Sequence, residues 1–372
     1  MRAFRASLPT AILLELLLLA TGCSSSPSSS PGTTSTPPTG GSAQAKFVYV
    51  GSALGVLYSY TVSSTGVLTP TSPATTGAGG SGMMVLDPLG KFLFTADNNS
   101  GDISSFTINT TTGVPTLVGT VVATVPNNNP NGLASNPAGT FLYLSNTGNG
   151  TVSVYAVNRT TGALTLASTT TVPVDTGAQY AQPNGLITDS TGKYLYVSEA
   201  GYISAFSINA STGALTQLTS AFPLAAPCYS MVLDPSGTYI YCAYDGGDIY
   251  SYTINPTTGA LSSYNYVASG TNSTGIALTS NSEYAYAANR SGGISPYTDN
   301  ASTGILTPMS PAIFGPLGTG TPYAIAIDPG NQLAYVVLQN SGLQLLNIGS
   351  GGTLSLSTLI TITQPETIAI YP

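Results

Sequence analysis

Whatever chemistry this chain performs, it performs without histidine, because none occurs among its 372 residues. The side chain whose ordinary pKa lies nearest neutrality is therefore missing, and Ser/His/Asp or Cys/His nucleophile arrangements go with it. No Gly-x-Ser-x-Gly elbow is present. The glycines fall between strand-like segments and not ahead of helices, which argues against a phosphate-cradling loop. What remains is a set of carboxylates (Glu199, Asp245, Glu366), amides (Asn131, Asn184, Asn289), phenols (Tyr229, Tyr244, Tyr323) and one guanidinium, Arg290. Amides and phenols hydrogen-bond neutral polyols, and a phenol also offers an apolar face. The expected ligand is accordingly a neutral small molecule, a glycan or another protein. Glu199, Asp245 and Glu366 with Asn131 and Asn184 could also give calcium the oxygen ligands it accepts, although their spacing forms no recognised calcium loop, and no cofactor is expected. For any one Asn or Asp the competing role is to build a turn.

These residues depend for their placement on a repeat. Its clearest copy runs from Pro183 to Thr216 and reads as four short strands. Three of them, Leu186–Thr188, Tyr194–Ser198 and Ile203–Ile208, alternate apolar and polar residues with period two, and a fourth starts near Ala214. Asp-Ser-Thr-Gly and Ala-Ser-Thr-Gly supply the turns between them. The second turn recurs with glycines at Gly66, Gly113, Gly162, Gly213, Gly259, Gly304 and Gly352, spaced by 47, 49, 51, 46, 45 and 48 residues. Seven four-stranded units of this length predict an all-β fold, a seven-bladed β-propeller. The first unit begins at Lys46-Phe-Val-Tyr-Val, in phase with a second strand. The missing first strand appears as Pro365-Glu-Thr-Ile-Ala-Ile, so the C-terminal strand is expected to pair in the first blade and close the ring. In register, the starts of the first strands ring one end of the channel: Gly82, Asn131, Asn184, Tyr229, Thr274, Tyr323 and Glu366. The ends of the second strands form a second ring of Ser52, Asp97, Asn146, Glu199, Tyr244, Asn289 and Leu338, with Asp102, Asp245, Asp248 and Arg290 just beyond.

Ahead of the propeller, Arg2 and Arg5 precede a short apolar run that reads as an export signal over residues 1–22. Leu19-Ala-Thr-Gly-Cys23 resembles a bacterial lipobox, which implies lipidation of Cys23. Residues 23–45 are Ser, Thr, Pro and Gly with little to bury, and read as a disordered tether with a reach of roughly 25 Å. The expected location is the bacterial cell envelope, lipid-anchored, with Ser24 compatible with the outer membrane. Residues 46–372 form one propeller domain, expected to be monomeric. Beyond residue 22 the chain has five basic and thirteen acidic residues, a balance unsuited to nucleic acid, which needs clustered Lys and Arg. Cys228 and Cys242 lie on neighbouring strands of one hairpin, where either a disulfide or two buried thiols would fit.

The repeat pattern, Pro-x-x-(Ile/Leu)-Ala-x-Asp-Pro-x-Gly-(Lys/Thr)-(Tyr/Phe)-Leu-Tyr followed by Ile-x-x-(Tyr/Phe)-x-Ile-Asn-x-x-Thr-Gly-Ala-Leu-Thr, resembles the seven-bladed lactonase-like propellers. That group includes 6-phosphogluconolactonases and carboxy-muconate cyclases, and the likeness extends over residues 46–372. It implies lactone hydrolysis as an activity. Tyr286-Ala-Ala-Asn-Arg290 is similar to the family's Tyr-x-x-Asn-Arg segment, which implies that Arg290 orients an anionic substrate or steadies developing negative charge. Ser198-Glu199 stands where the family has Asn-Glu, with the glutamate one position early. The family's Pro-His positions hold Asn131, Asn184, Tyr229, Tyr323 and Glu366. Catalytic candidates are therefore Arg290, Glu199 and Glu366. A single arginine on this face is a poor match for a phosphosugar. The departures favour a non-catalytic binding propeller, with an extracytoplasmic lactone hydrolase, calcium-dependent or not, as the alternative and a structural envelope scaffold as the third reading.

Overall fold

The computed structural model describes residues 45–75, 81–98, 100–122, 129–173, 183–199, 201–218, 222–223, 228–244 and 246–372. Cys23, the export signal and most of the tether lie outside them, as does Asp245. The described chain forms seven antiparallel sheets and one short 3₁₀ turn at Ser350–Gly352. Among the described residues no helix is long and apolar enough to cross a membrane.

The innermost strands of blades 1 to 7 are Pro365–Tyr371, Ser81–Leu86, Pro130–Ser135, Leu186–Thr188, Cys228–Leu233, Ser273–Leu278 and Thr321–Ile327. Each touches the innermost strand of the next blade, and the last returns to the first, so the seven enclose a channel. Second strands such as Phe92–Asp97 and Tyr194–Ser198 are buried along their whole length. A strand packed on both faces has no solvent side, which is why these segments read as nearly continuous apolar runs. The outer strand Leu164–Thr171 alternates instead between sheltered and exposed residues.

Blade 1 closes as its phase predicts. Pro365–Tyr371 pairs antiparallel with Phe47–Ser52, with Tyr371 facing Phe47 and Ile368 facing Val50. The main-chain amide of Lys46 bonds the carbonyl of Tyr371 at 2.8 Å, which extends the seam by one residue.

The turn glycines that count the blades also hold them together. Gly162 and Gly259 have φ of +80° and +71°, a region an L side chain enters only at a cost. A Cβ on either would come within 2.6 Å or less of Phe92 or Tyr194 in the preceding blade. Just inside that contact, Tyr49, Tyr196 and Tyr286 send their hydroxyls across the blade boundary to the carbonyls of Gly113, Gly259 and Gly352, at 2.8–3.0 Å. In blade 2 the equivalent residue is Phe94, which has no hydroxyl. Its ladder partner Ser105 bonds the carbonyl of Gly162 instead, at 2.6 Å. Between blades 2 and 3, Arg159 grips Asp87 with both terminal guanidinium nitrogens, at 2.5 and 2.9 Å.

Cys228 and Cys242 are joined as a disulfide, with Cα atoms 5.7 Å apart. The pairing register explains how: Cys228 faces Tyr244 and Met231 faces Cys242, with a bulge between Cys228 and Ser230. Both sulfurs are buried against blade 4.

Candidate functional site

The channel mouth is built by one irregularity repeated around the ring. Near the start of each innermost strand the ladder slips by one residue. Ser81 and Met83 face consecutive residues Asp97 and Ala96, which leaves Gly82 unpaired. The same slip isolates Tyr229, Thr274, Tyr323 and Glu366. In blade 3 it falls at Asn131 and Gly132. In blade 4 the main chain of Ser198 is bracketed by Asn184 and Gly185. A bulge turns the extra residue out of the pleat and re-aims its side chain. The first ring inferred from the repeat is therefore a ring of bulge residues.

Hydroxyls from second strands and from one innermost strand lock this ring in place. Ser145 accepts from the amide of Gly132 and donates to the carbonyl of Asn184, both at 2.7 Å. Ser198 accepts from the amide of Gly185 at 2.9 Å and donates to the carbonyl of Cys228 at 2.7 Å. Thr274 donates to the carbonyl of Tyr323 at 2.8 Å. The bonds to the carbonyls of Asn184, Cys228 and Tyr323 each tie one blade to the mouth of the next, at the junctions of blades 3 and 4, 4 and 5, and 6 and 7.

Three neighbouring blades bring their chemistry together at Tyr323. The guanidinium of Arg290, from the loop after the second strand of blade 6, lies over the Tyr323 ring at 5.5 Å, a cation–π contact. The Tyr323 phenol is pushed above its ordinary pKa first by burial, then by the Glu366 carboxylate of blade 1; Arg290 opposes this and Tyr229 adds to it. Burial likewise raises Glu366, leaving a half-buried carboxyl that holds its proton more readily than a free one. Arg290 and Tyr229 are exposed. On the other arc of the mouth, the Asn131 amide donates to the Asn184 side-chain oxygen at 2.7 Å.

The second ring, apart from the half-buried Tyr244, is not part of this surface. Glu199 and Asn289 were placed at the mouth by register, and the structure buries both, at 4% and 0% exposure, together with Asp97 and Asn146. The reason is a serine on the third strand that sequence reasoning did not single out. Asn289 donates to Ser295 at 3.0 Å, Asn146 donates to Ser153 at 2.9 Å, and Asp97 accepts from Ser104 at 3.0 Å. Ser204 holds the equivalent place beside Glu199, but its hydroxyl and Glu199 Oε1 are buried without a hydrogen-bond partner. The signal was present in Asp102-Ile-Ser104, Thr151-Val-Ser153, Tyr202-Ile-Ser204 and Gly293-Ile-Ser295. In blade 5 two tyrosines replace the pair, and Tyr244 meets Tyr250 edge to face at 5.7 Å. Burial pushes both Asp97 and Glu199 up to about 7. Among the described residues, no three Cys, Asp or Glu side chains gather to hold a metal ion; Asp245, the third carboxylate of the expected calcium set, lies outside the described residues.

Residues 126–233 and 237–366 match the family described as Lactonase, 7-bladed beta-propeller. The chain belongs to this family. No curated protein matches the sequence. Among solved structures, this lactonase-family propeller resembles a candidate 6-phosphogluconolactonase of Bacteroides fragilis, with a TM-score of 0.75 at 22% identity, covering 91% of this chain and 100% of the other. It also resembles the periplasmic gluconolactonase of Pseudomonas aeruginosa, with a TM-score of 0.73 at 14% identity, covering 88% and 99%. At such identities the likeness concerns the fold alone.

Proposed function

We propose that this propeller hydrolyses the lactone of an unphosphorylated, polyhydroxylated acid at the mouth of its channel. The observation that carries the reading is the Arg290 guanidinium over the Tyr323 ring, with the Glu366 carboxylate of the next blade near enough to raise the Tyr323 phenol. In the proposed reaction Glu366, as carboxylate, takes a proton from water as the water oxygen attacks the lactone carbonyl. Arg290 and the Tyr323 hydroxyl face the oxygen on which negative charge develops. The ring carbon–oxygen bond then breaks, and the leaving alkoxide takes the proton held by Glu366. A hydroxy acid is released, its new carboxylate paired with Arg290 until it departs. Asn131, Asn184 and Tyr229 supply hydrogen bonds to substrate hydroxyls. One arginine, with no second cation beside it among the described residues, suits a single negative charge better than a phosphate ester. The export signal and the lipobox-like Cys23 support an envelope location for this activity.

The test is hydrolysis of glucono-δ-lactone and of its 6-phosphate, measured above the spontaneous rate for the wild type, Glu366→Gln and Arg290→Ala. Turnover of the unphosphorylated lactone is expected to fall at least about 100-fold in Glu366→Gln. The wild-type rate should rise with pH as Glu366 ionises, with its inflection above the ordinary glutamate range. Wild-type turnover that survives Glu366→Gln unchanged would overturn the assignment. Saturable lactone binding without turnover would return the protein to the reading of a non-catalytic binding propeller.

A further inference from the structure

The disulfide of blade 5 joins two residues that an unbulged strand pair would hold apart. Met231 faces Cys242 and Ser230 faces Ala243, but Cys228 faces Tyr244, because Tyr229 is the extra residue of the bulge. Directly opposed residues share a face of the sheet, and successive residues alternate between faces. With the bulge, Cys228 therefore stands on the face of Cys242, and both lie in one buried cluster with Tyr196 and Ile203 of blade 4. Without it, Tyr229 would face Tyr244, and Cys228 would turn to the face of Ala243, which packs toward blade 6. A slip of one residue sends the slipped side chains to the other face, and cysteines that point apart cannot be bridged. The bond between Cys228 and Cys242, with Cα atoms 5.7 Å apart, thus exists only in the bulged register.

Blades 3 and 4 hold the same bulge by another means. There a serine of the second strand accepts from the amide that follows the bulge residue, Ser145 from Gly132 and Ser198 from Gly185. Blade 5 has Ala243 at that place, opposite Ser230, and so has no hydroxyl to take the amide. Its bulge is pinned at Cys228 instead. Ser198 of blade 4 holds the Cys228 carbonyl at 2.7 Å, and the disulfide holds the side chain. Tyr229 follows directly, 41% exposed at the mouth.

We propose that the Cys228–Cys242 disulfide is the positioning device for Tyr229, so that the mouth is complete only after oxidation. The bond forms by exchange with a small disulfide: two protein thiols and one RSSR give the protein S–S bond and two RSH. In the dithiol form the regular ladder competes with the bulged one, and Tyr229 spends part of its time turned toward blade 4. Only the effect on turnover rests on the lactone reading of the mouth; the effect on register does not.

The experiment compares Cys228→Ala/Cys242→Ala, the same pair with Ala243→Ser, and Tyr229→Ala with the oxidised wild type. Amide hydrogen exchange by mass spectrometry follows residues 228–233, with residues 130–135 of blade 3 as the internal reference. In the double alanine variant exchange over 228–233 should quicken at least about tenfold, with the reference unchanged, and Ala243→Ser should return most of the protection. KM for glucono-δ-lactone should rise about fivefold, the worth of one hydrogen bond, with kcat held within about twofold. Added to Tyr229→Ala, the double alanine change should raise KM no further, which a general loosening of the blade would not produce. Wild type refolded with dithiothreitol should behave as the double alanine variant does, and oxidised glutathione should restore it; this arm decides the matter where the double variant does not fold. Equal exchange over 228–233 with and without the bond, or additive effects of Tyr229→Ala and the double alanine change, would overturn the proposal. A wild type without turnover would sink the lactone reading, and the exchange rates alone would still decide this one.

Discussion

Replacing Asp97 with asparagine should stabilise the propeller in alkali and leave it unchanged in acid. Asp97 is fully buried at the end of the second strand of blade 2, and one of its carboxyl oxygens has no hydrogen-bond partner. Burial is the main reason its pKa rises from 3.8 to about 7; the Ser104 hydroxyl partly offsets this and the nearby Asp102 carboxylate adds to it. The folded chain therefore keeps a proton that the unfolded chain releases near pH 4. Between about pH 4 and 7 the unfolded state binds fewer protons than the folded one, so stability falls as pH rises. At 1.36 kcal/mol for each pH unit, the loss reaches roughly 4 kcal/mol above pH 7 as an upper bound. Asparagine cannot ionise, and blades 3 and 6 already use Asn146 and Asn289 with a serine at the same place. Urea unfolding of wild type and Asp97→Asn from pH 4 to 9 tests this, because the difference between the two proteins cancels the other titrating groups. The difference should be near zero at pH 4 and grow to about 2–4 kcal/mol by pH 8. A constant difference across that range would show that the buried carboxyl is not what titrates.

Two further outcomes follow from the closure and the disulfide. Deleting residues 365–372 removes the innermost strand of blade 1 and exposes the edge of Phe47–Ser52, so the truncated protein should melt lower and aggregate; an unchanged melting temperature would rule out closure at this seam. Replacing Cys228 and Cys242 together by alanine opens a loop of 14 residues, and chain entropy puts the loss at about 3 kcal/mol. Chemical denaturation of that variant beside the oxidised wild type checks the figure, and equal midpoints would mean that the bond adds nothing to blade 5.

The blade count and the closure were legible because both are written as local patterns. A Thr-Gly turn every 45 to 51 residues marks the blades, and a strand out of phase at Lys46 points to its partner at Pro365. The mouth ring was legible as well, since register alone brings Asn131, Tyr323 and Glu366 to equivalent places. What sequence could not convey was the bulge that turns those residues outward, because a slip of one residue depends on how two strands pair. The second ring misled for a related reason. Asn289 and Glu199 look the same in sequence whether a polar end faces a channel or a serine on the next strand, and only the backbone path decides. The contact of Arg290 with Tyr323 spans two blades, and no spacing rule connects residues so placed.

The seam in blade 1 also sets an order of events. Phe47 meets Tyr371 across more than three hundred residues, whereas every other ladder joins strands that follow closely in the chain. The entropy of bringing two segments together grows with the length of chain between them, and contacts of this kind form late. Blade 1 is therefore expected to be the last sheet completed, after the other six have stacked into an open arc that brings its two parts face to face. Glu366 lies on the closing strand. The carboxylate of the proposed reaction thus comes beside Tyr323 only when the circle is complete, so an unfinished ring would lack the proposed reactive centre as well as the seam.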